Sequence, residues 1–153
     1  MLVRNCAGGV VFCGDKVLLL KNEKGEWVLP KGVIRNGEVP SEVALRRVKE
    51  EAGVTAEIVS TAGRTNYEFY SVTRQKPVCN KIIWYVMKSP NESCSLNKDY
   101  DFTEVGYFDI EKALELVTYS QDRSLIHLSY MKIKEYSEEE NTIASDAVLN
   151  GTM

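Results

Sequence analysis

The sequence predicts an α+β fold in which helices flank a mixed β-sheet. Two observations support this prediction: short apolar, β-branched segments dominate the middle of the chain, and segments with helical periodicity lie among and after them. With 153 residues, 44% of them hydrophobic and 27% charged, the chain can bury about two thirds of its unfolded surface in one core. We therefore assign a single domain to residues 1–136. Residues 137–153 are acidic and small, and we expect them to form a flexible C-terminal tail.

The predicted strands begin with a hairpin. Residues 7–12 and 17–20 are apolar and β-branched, and the segment Cys13-Gly14-Asp15-Lys16 between them has the composition of a turn. A short strand over residues 27–29 is expected to stop at Pro30. Turns that contain glycine or proline separate the remaining predicted strands, which cover residues 54–59, 65–72, 81–88 and 104–108.

Three helices are predicted around these strands. The first begins with Ser41 as its N-cap and ends at Gly53, after a loop over residues 32–40. Its apolar residues recur at the spacing of a helix that packs on a sheet, namely Ala44, Leu45, Val48 and Ala52. A second helix is expected from an N-cap at Asp109 to Val117, and the last one covers residues 121–136.

Composition excludes several classes of function. The 19 basic and 22 acidic residues give a net charge of −3, so the chain has no overall positive field for a nucleic-acid duplex. No apolar run reaches the roughly 18 residues that cross a bilayer, and the first residues lack the layout of a secretory signal. The four cysteines form no Cys-x-x-Cys pair. We therefore expect a cytoplasmic protein with reduced thiols, without a zinc site and without a membrane partner.

The segment that indicates chemistry lies between residues 32 and 54. It resembles the Nudix box, which reads Gly, five residues, Glu, seven residues, then Arg-Glu-aliphatic-any-Glu-Glu-any-Gly-aliphatic. Eight of the nine specified positions match, namely Gly32, Glu38, Arg46, Val48, Glu50, Glu51, Gly53 and Val54. The one departure is Arg47, where the family has Glu. The resemblance implies a Nudix-like α/β/α sandwich and a hydrolase that cleaves a diphosphate linkage in a nucleoside diphosphate derivative.

Helical spacing gives a separate argument for a metal site. Positions 47, 50 and 51 are related by i, i+3 and i+4, so they share one face of the predicted helix. Mg²⁺ commonly takes only one or two protein carboxylates and completes its octahedron with water and phosphate oxygens. Glu50 and Glu51 can therefore hold Mg²⁺ or Mn²⁺ without a third Glu. The alternative is that the two residues are a solvated acidic helix end.

The resemblance assigns further roles around the box. It implies that Glu38 and Arg46 form an ion pair that braces the loop against the helix, and that Gly32 and Gly53 are structural. It also implies that the backbone carbonyl of Lys31 is a metal ligand.

Two features resemble the branch of the family that cleaves diadenosine polyphosphates. Those enzymes carry a similar Leu-Pro-Lys-Gly sequence before the box, present here as residues 29–32, in which Lys31 would neutralise a phosphate. Tyr67 and Tyr70, with Phe69 between them, follow at the distance where this branch has an aromatic residue. Stacking of a base on an aromatic ring is worth roughly 1–3 kcal/mol. Core packing is the alternative for these rings, and an ordinary surface position is the alternative for Lys31.

The proton acceptor is expected among the acidic residues near the metal. Glu51 is one candidate, and related enzymes often place another acidic residue just before the segment that corresponds to residues 105–108. Glu104 is the first choice at that place and Asp101 the second, with a solvated loop as the alternative for either.

Arg47 divides the functional hypotheses. An arginine is always protonated and has no lone pair, so it cannot ligate a metal and instead pairs with nearby glutamates. Either it clamps a phosphate in a metal-dependent hydrolase, or it marks a nucleotide-binding or regulatory module without turnover. A third hypothesis is an interaction domain whose last helix packs on the sheet or on a second protomer of a homodimer through Leu125, Ile126, Leu128, Met131 and Ile133.

Overall fold

The computed structural model describes the backbone of residues 1–151 and the side chains of residues 1–145. It contains seven strands, β1 (Leu2–Cys13), β2 (Lys16–Asn22), β3 (Trp27–Val28), β4 (Lys31–Val33), β5 (Glu57–Ser71), β6 (Lys76–Lys88) and β7 (Phe102–Asp109). The helices are α1 (Pro40–Ala52), α2 (Ile110–Leu116) and α3 (Ser120–Gly151). None of the described helices is both long and apolar enough to cross a membrane.

The strands form one mixed sheet. Its order is β3-β2-β1-β6-β5, with β4 added to β1 and β7 added to β2. The pair β1–β6 is parallel and the other pairs are antiparallel. β1 pairs with β2 near its C-terminal end and with β4 at residues 6–8. The pairing with β4 fixes the start of the loop between β4 and α1 against β1.

Both faces of the sheet are covered by helices, which confirms the predicted α+β sandwich. One face packs against α2 and α3 through a cluster that includes Val10, Phe12, Leu19, Trp84 and Ile126. The other face packs against α1 through a cluster that includes Val11, Leu18, Leu20, Val48 and Met87. Successive side chains of a strand point to opposite faces, so a strand buried on both sides needs a continuous apolar run. This explains the unbroken apolar segments of β1 and β2.

The predicted hairpin is confirmed, but the start of α1 differs from the prediction. Phe12 pairs with Val17 across the hairpin. The helix begins at Pro40, and the N-cap position is Val39, which makes no side-chain capping bond. The prediction of Ser41 as N-cap is therefore wrong. Proline at the first helical position already has a helical φ and needs no N–H partner, so the helix starts two residues earlier than predicted.

The end of α1 is as predicted. Gly53 adopts a left-handed conformation (φ 70°), and its N–H donates to the carbonyl of Lys49. This conformation favours glycine because it has no Cβ.

Two predicted strands are joined in the structure. Residues 54–59 and 65–72 were expected to be separated at Gly63, whereas β5 runs without a break over Glu57–Ser71. Its pairing with β6 is irregular between Thr61 and Gly63. Glycine inside a strand marks a bulge as readily as a strand end, and here it marks a bulge. The predicted loop over 32–40 is also shorter, because residues 31–33 form β4.

Helix α3 continues beyond its predicted end at residue 136. It includes residues 137–151, which the sequence assigned to a tail. Glu140 on this extension lies 3.6 Å from Lys88 Nζ, and that ammonium group also lies over the ring of Tyr136. The end of the domain at 136 and the flexibility of the tail stay predictions, and residues 152–153 of that tail lie outside the described residues.

Candidate active site

A cleft of about 590 Å³ opens beside β4 and α1, between the sheet and the start of α3. The Gln121 side chain exchanges two hydrogen bonds with the backbone of Asn66, so the first turn of α3 is fixed against the edge of β5. The polar and aromatic residues that line the cleft include Glu26, Lys31, Arg47, Glu51, Tyr67, Phe69, Tyr70, Asp101, Tyr119 and Asp122.

Glu51 is the most buried acidic residue of this cleft. Only 3% of its surface is exposed. Its Oε1 accepts a hydrogen bond from Arg47 Nη2 at 3.1 Å, and its Oε2 accepts one from the backbone N–H of Lys31 at 3.2 Å. Burial raises the pKa of Glu51 to about 7, although the charges of Arg47 and Lys31 act in the opposite direction. A hydrogen bond to each oxygen therefore fixes the position of the carboxylate. Its pKa depends on the balance between burial and the two neighbouring positive charges.

Glu50 lies on the neighbouring side of α1. It lines a second cavity, of about 530 Å³, that adjoins the cleft. Its Oε2 accepts a 2.5 Å hydrogen bond from the Tyr100 hydroxyl. Its Oε1 lies 3.6 Å from Arg46 Nε, which is longer than a hydrogen bond, so this oxygen keeps its capacity for a ligand.

This donor set fits a hard divalent cation in its chemistry. Glu50 and Glu51 present carboxylate oxygens from one helical turn, and Mg²⁺ needs few protein ligands. A cation at Glu51 would have to share Oε1 with Arg47 or displace its guanidinium. Within the described part of the chain, no three His, Cys, Asp or Glu residues are grouped to hold a metal.

Arg47 is packed between Gly32 and Tyr100. Its guanidinium lies 4.9 Å from the centre of the Tyr100 ring. A Cβ at Gly32 would lie 2.4 Å from Arg47 Nε. That Nε is buried and has no hydrogen-bond partner among the described residues. Gly32 is thus needed for the close approach of the arginine side chain, a role that the sequence alone did not reveal.

The predicted pair of Glu38 and Arg46 is present. Arg46 Nη1 donates to Glu38 Oε2 at 2.7 Å, and the backbone N–H of Arg35 donates to Glu38 Oε1 at 2.7 Å. The hydrogen bond from Arg46 is the main reason that the pKa of Glu38 is lowered. These bonds connect the loop to α1.

The aromatic residues line the β5 side of the cleft. The rings of Tyr67 and Phe69 stack with centroids 5.5 Å apart, whereas Tyr70 is 63% exposed. The Tyr67 hydroxyl lies 3.2 Å from that of Tyr119, which donates to Glu26 Oε2 at 2.5 Å. The Tyr119 hydrogen bond lowers the pKa of Glu26. Sequence reasoning missed Tyr119 and Glu26, because they come from distant segments that belong to no common motif.

The two acidic residues expected to accept a proton, Glu104 and Asp101, lie in different surroundings. Glu104 lies on β7 with its Oε2 3.2 Å from Lys21 Nζ, and 56% of its side chain is exposed. Asp101 lines the cleft that contains Glu51, and so does Asp122, which the sequence did not suggest. Burial raises the pKa of Asp122. Of the two residues expected to accept the proton, Asp101 lines the cleft and Glu104 does not.

Comparison of the sequence with known proteins identifies relatives of this chain. A family model described as a NUDIX domain matches residues 3–128. An RNA pyrophosphohydrolase of Ruthia magnifica is 30% identical over 123 residues, which cover 70% of this chain and 69% of that protein. A mouse bis(5'-nucleosyl)-tetraphosphatase (asymmetrical) is 25% identical over 111 residues, which cover 71% and 74%. The chain spans only 40% of the length of a Mycobacterium tuberculosis relative that is 30% identical over 103 residues.

The fold has solved counterparts. The structure of a Caenorhabditis elegans Ap4A hydrolase binary complex superimposes with a TM-score of 0.65 at 22% identity, covering 86% of this chain and 98% of the other. At this identity the likeness concerns the fold alone.

Proposed function

The chain belongs to the Nudix family, and on that premise we propose that it is a metal-dependent hydrolase of a diphosphate linkage in a nucleoside diphosphate derivative. A diadenosine polyphosphate is the leading substrate. The observation that carries the proposal is the position of Glu51, which is fixed in the cleft beside Lys31 and Arg47, with aromatic rings on the β5 side.

The proposed metal is Mg²⁺ or Mn²⁺, held by Glu50, Glu51 and the backbone carbonyl of Lys31. Such an ion, when bound, polarises a phosphoryl oxygen and lowers the pKa of a bound water. The side chains of Lys31 and Arg47 provide positive charge for the phosphates.

The remaining roles follow from the lining of the cleft. Asp101 and Tyr67 both line the cleft. In this proposal Asp101 accepts a proton and Tyr67 stacks on a base. Glu104, the residue first expected to accept the proton, pairs with Lys21 and is not among the residues that line the cleft, so we assign the role to Asp101.

A nucleotide-binding module without turnover is the second candidate. The observation that favours it is the occupation of both Glu51 oxygens, one by Arg47 and one by the Lys31 N–H. Under this alternative, Arg47→Glu gains hydrolysis, because it removes the competing cation and restores a carboxylate.

The experiment that tests the hydrolase is a panel of diadenosine tetraphosphate, ADP-ribose and nucleoside triphosphates with Mg²⁺ or Mn²⁺, assayed for released nucleotide. Glu51→Gln is expected to lower kcat/KM by about 100-fold or more, the size of effect seen when a metal ligand or proton acceptor is lost. Glu68→Gln, on an exposed part of β5, is the matched control and keeps the wild-type rate. Binding without turnover of any panel member would favour the non-catalytic module, and full activity of Glu51→Gln would exclude this site.

The proposal also includes a cellular location and an oligomeric state. A cytoplasmic location is supported by the four free cysteine thiols. The predicted homodimer through the last helix now concerns Leu128 and Met131, which are exposed on α3, since Leu125, Ile126 and Ile133 are buried in the core. The dimer stays a prediction.

A further inference from the structure

We propose that the cleft selects the nucleobase by its exocyclic amino group, through a wall of side chains that can only accept hydrogen bonds. This acceptor wall consists of Glu26, Tyr67 and Tyr119, which all line the cleft and are half-buried. Adenine and cytosine are then preferred to hypoxanthine and uracil, which have a carbonyl oxygen in place of the amino group. The inference rests on the proposed function for the nucleotide itself, but the selection can be measured as binding without turnover.

Glu26 is fixed as an ionised acceptor. Its Oε2 accepts the 2.5 Å hydrogen bond from the Tyr119 hydroxyl, and its Oε1 accepts one from Asn22 Nδ2 at 3.0 Å. These two hydrogen bonds, the one from Tyr119 first, lower the pKa of Glu26. The group is therefore a carboxylate at neutral pH and has no hydrogen to donate.

The only hydroxyl hydrogen of Tyr119 is committed to Glu26. Burial and the hydrogen bond to Glu26 raise the pKa of Tyr119, so this hydroxyl keeps its hydrogen at neutral pH. A tyrosine hydroxyl has one hydrogen and further lone pairs. Towards every other neighbour, the Tyr119 oxygen can therefore only accept.

The commitment of Tyr119 also decides the direction of the Tyr67 hydroxyl. The two hydroxyl oxygens are 3.2 Å apart, and the two rings meet edge to face with centroids 5.0 Å apart. Because the hydrogen of Tyr119 points to Glu26, the hydrogen between the two tyrosines comes from Tyr67. Donation thus runs from Tyr67 to Tyr119 to Glu26, and both tyrosines are left with lone pairs for a ligand.

Backbone contacts hold the acceptor wall together before any ligand binds. The N–H of Trp27 donates to Thr118 Oγ1 at 2.9 Å, and the N–H of Thr118 donates to the carbonyl of Trp27 at 3.1 Å. These two bonds join the turn that carries Glu26 to the segment that carries Tyr119. The lone pairs are therefore oriented in advance, which lowers the cost of binding a matching base.

Hydrogen-bond complementarity decides which base fits beside the wall. In the proposed function the base stacks on the Tyr67 ring, so its edge lies near the hydroxyl oxygens of Tyr67 and Tyr119. An amino group brings N–H donors to these oxygens, whereas a carbonyl oxygen would face lone pairs, and an unpaired polar group is costly in a half-buried place. Asp122 lines the same cleft, and its carboxyl group, when ionised, also has only lone pairs to offer.

The test compares the binding of ATP with ITP, and of CTP with UTP, to the full chain by isothermal titration calorimetry in a buffer without divalent cations. The two nucleotides of each pair have the same phosphates and sugar, so the ratio of their dissociation constants reports on the base alone. We expect ATP to bind about tenfold more tightly than ITP, and CTP more tightly than UTP, in the wild type.

Two variants change the acceptor wall and keep its rings. Tyr119→Phe removes the acceptor of the Tyr67 hydrogen, which then becomes available to a carbonyl oxygen, so both ratios should fall to about twofold or less. Tyr67→Phe keeps the ring for stacking and removes an acceptor oxygen, and both ratios should fall there too. Tyr107→Phe is the matched control, because its hydroxyl pairs with Ser89 outside both cavities, and it should keep the wild-type ratios.

Equal affinity of the wild type for ATP and ITP would overturn the inference. Wild-type ratios in Tyr119→Phe or Tyr67→Phe would also overturn it, even if every nucleotide bound more weakly, since that loss would show a merely structural role. Selection that depends on both tyrosines in a protein that hydrolyses no substrate would support the acceptor wall and contradict the hydrolase. Hydrolysis of diadenosine tetraphosphate together with equal binding of ATP and ITP would support the hydrolase and contradict the acceptor wall.

Discussion

The side chain of Arg47 can approach Gly32 of β4 closely only because Gly32 has no side chain of its own. A Cβ at this position would come within 2.4–2.7 Å of the Nε, Cδ and Cγ atoms of Arg47. We expect Gly32→Ala to lower the free energy of unfolding by about 1–3 kcal/mol, the usual effect of overpacking a buried position. Urea denaturation gives the value.

A double-mutant cycle separates this contact from other effects at Gly32. In the Arg47→Ala background the clash is absent, so Gly32→Ala is expected to cost less there than in the wild type. If Gly32→Ala has the same effect in both backgrounds, the close approach of the two residues does not account for the glycine.

Glu51 should make the stability of the metal-free protein depend on pH. Its pKa is raised from 4.5 to about 7 in the folded state, mainly by burial. Between these two values the folded protein keeps a proton that the unfolded chain loses, so this contribution to stability is complete below about pH 4.5 and is lost as the pH rises to about 7. The effect amounts to about 3 kcal/mol.

Urea unfolding at pH 5 and pH 8, in the presence of a chelator, measures this dependence. Glu51→Gln has no ionisable group at this position, so its stability should fall less over the interval than that of the wild type. Glu68→Gln, which leaves the buried carboxyl group intact, should follow the wild type. Parallel pH profiles for Glu51→Gln and the wild type would show that Glu51 is not the group responsible.

The sequence correctly predicted the strands and helices that are determined by residues close together in the chain. The first hairpin has turn residues between two apolar runs, and α1 has a periodic apolar face that ends in glycine; both are present. The start of α1 and the continuity of β5 depend on context instead. Val39 and Pro40 begin the helix without a capping side chain, and pairing with β6 carries β5 through Gly63.

The site was predictable where one segment contributes it and not where several segments meet. The pair Glu38–Arg46 lies within the box and was expected from the resemblance to that box. Tyr119 and Asp122 reach the cleft only because α3 is fixed against β5, a contact between residues 55 positions apart. Glu104 was expected from the position of an acidic residue in related enzymes, but the register of β7 pairs it with Lys21 on β2.

The stability of the whole molecule depends on how much of α3 belongs to the folded domain. Among the side chains of α3 that the structure describes, which end at residue 145, the last buried one is Ile133. Beyond it, the ion pair between Lys88 and Glu140 is exposed to solvent, and such pairs contribute about 0–1 kcal/mol. Over residues 137–145, the extension of α3 therefore adds length to the helix with little burial.

We expect a chain truncated after Tyr136 to fold with a loss of no more than about 1 kcal/mol, because it keeps both hydrophobic clusters. Truncation after Ser124 is the matched control: it removes Leu125, Ile126 and Ile133 from the core, and burial of each such side chain is worth about 1.5–3 kcal/mol, so that chain should not fold stably. Thermal unfolding followed by circular dichroism compares the two. A large loss of stability on truncation after Tyr136 would place the end of the domain inside the acidic extension, and residues 137–151 would then be part of the folded core unit.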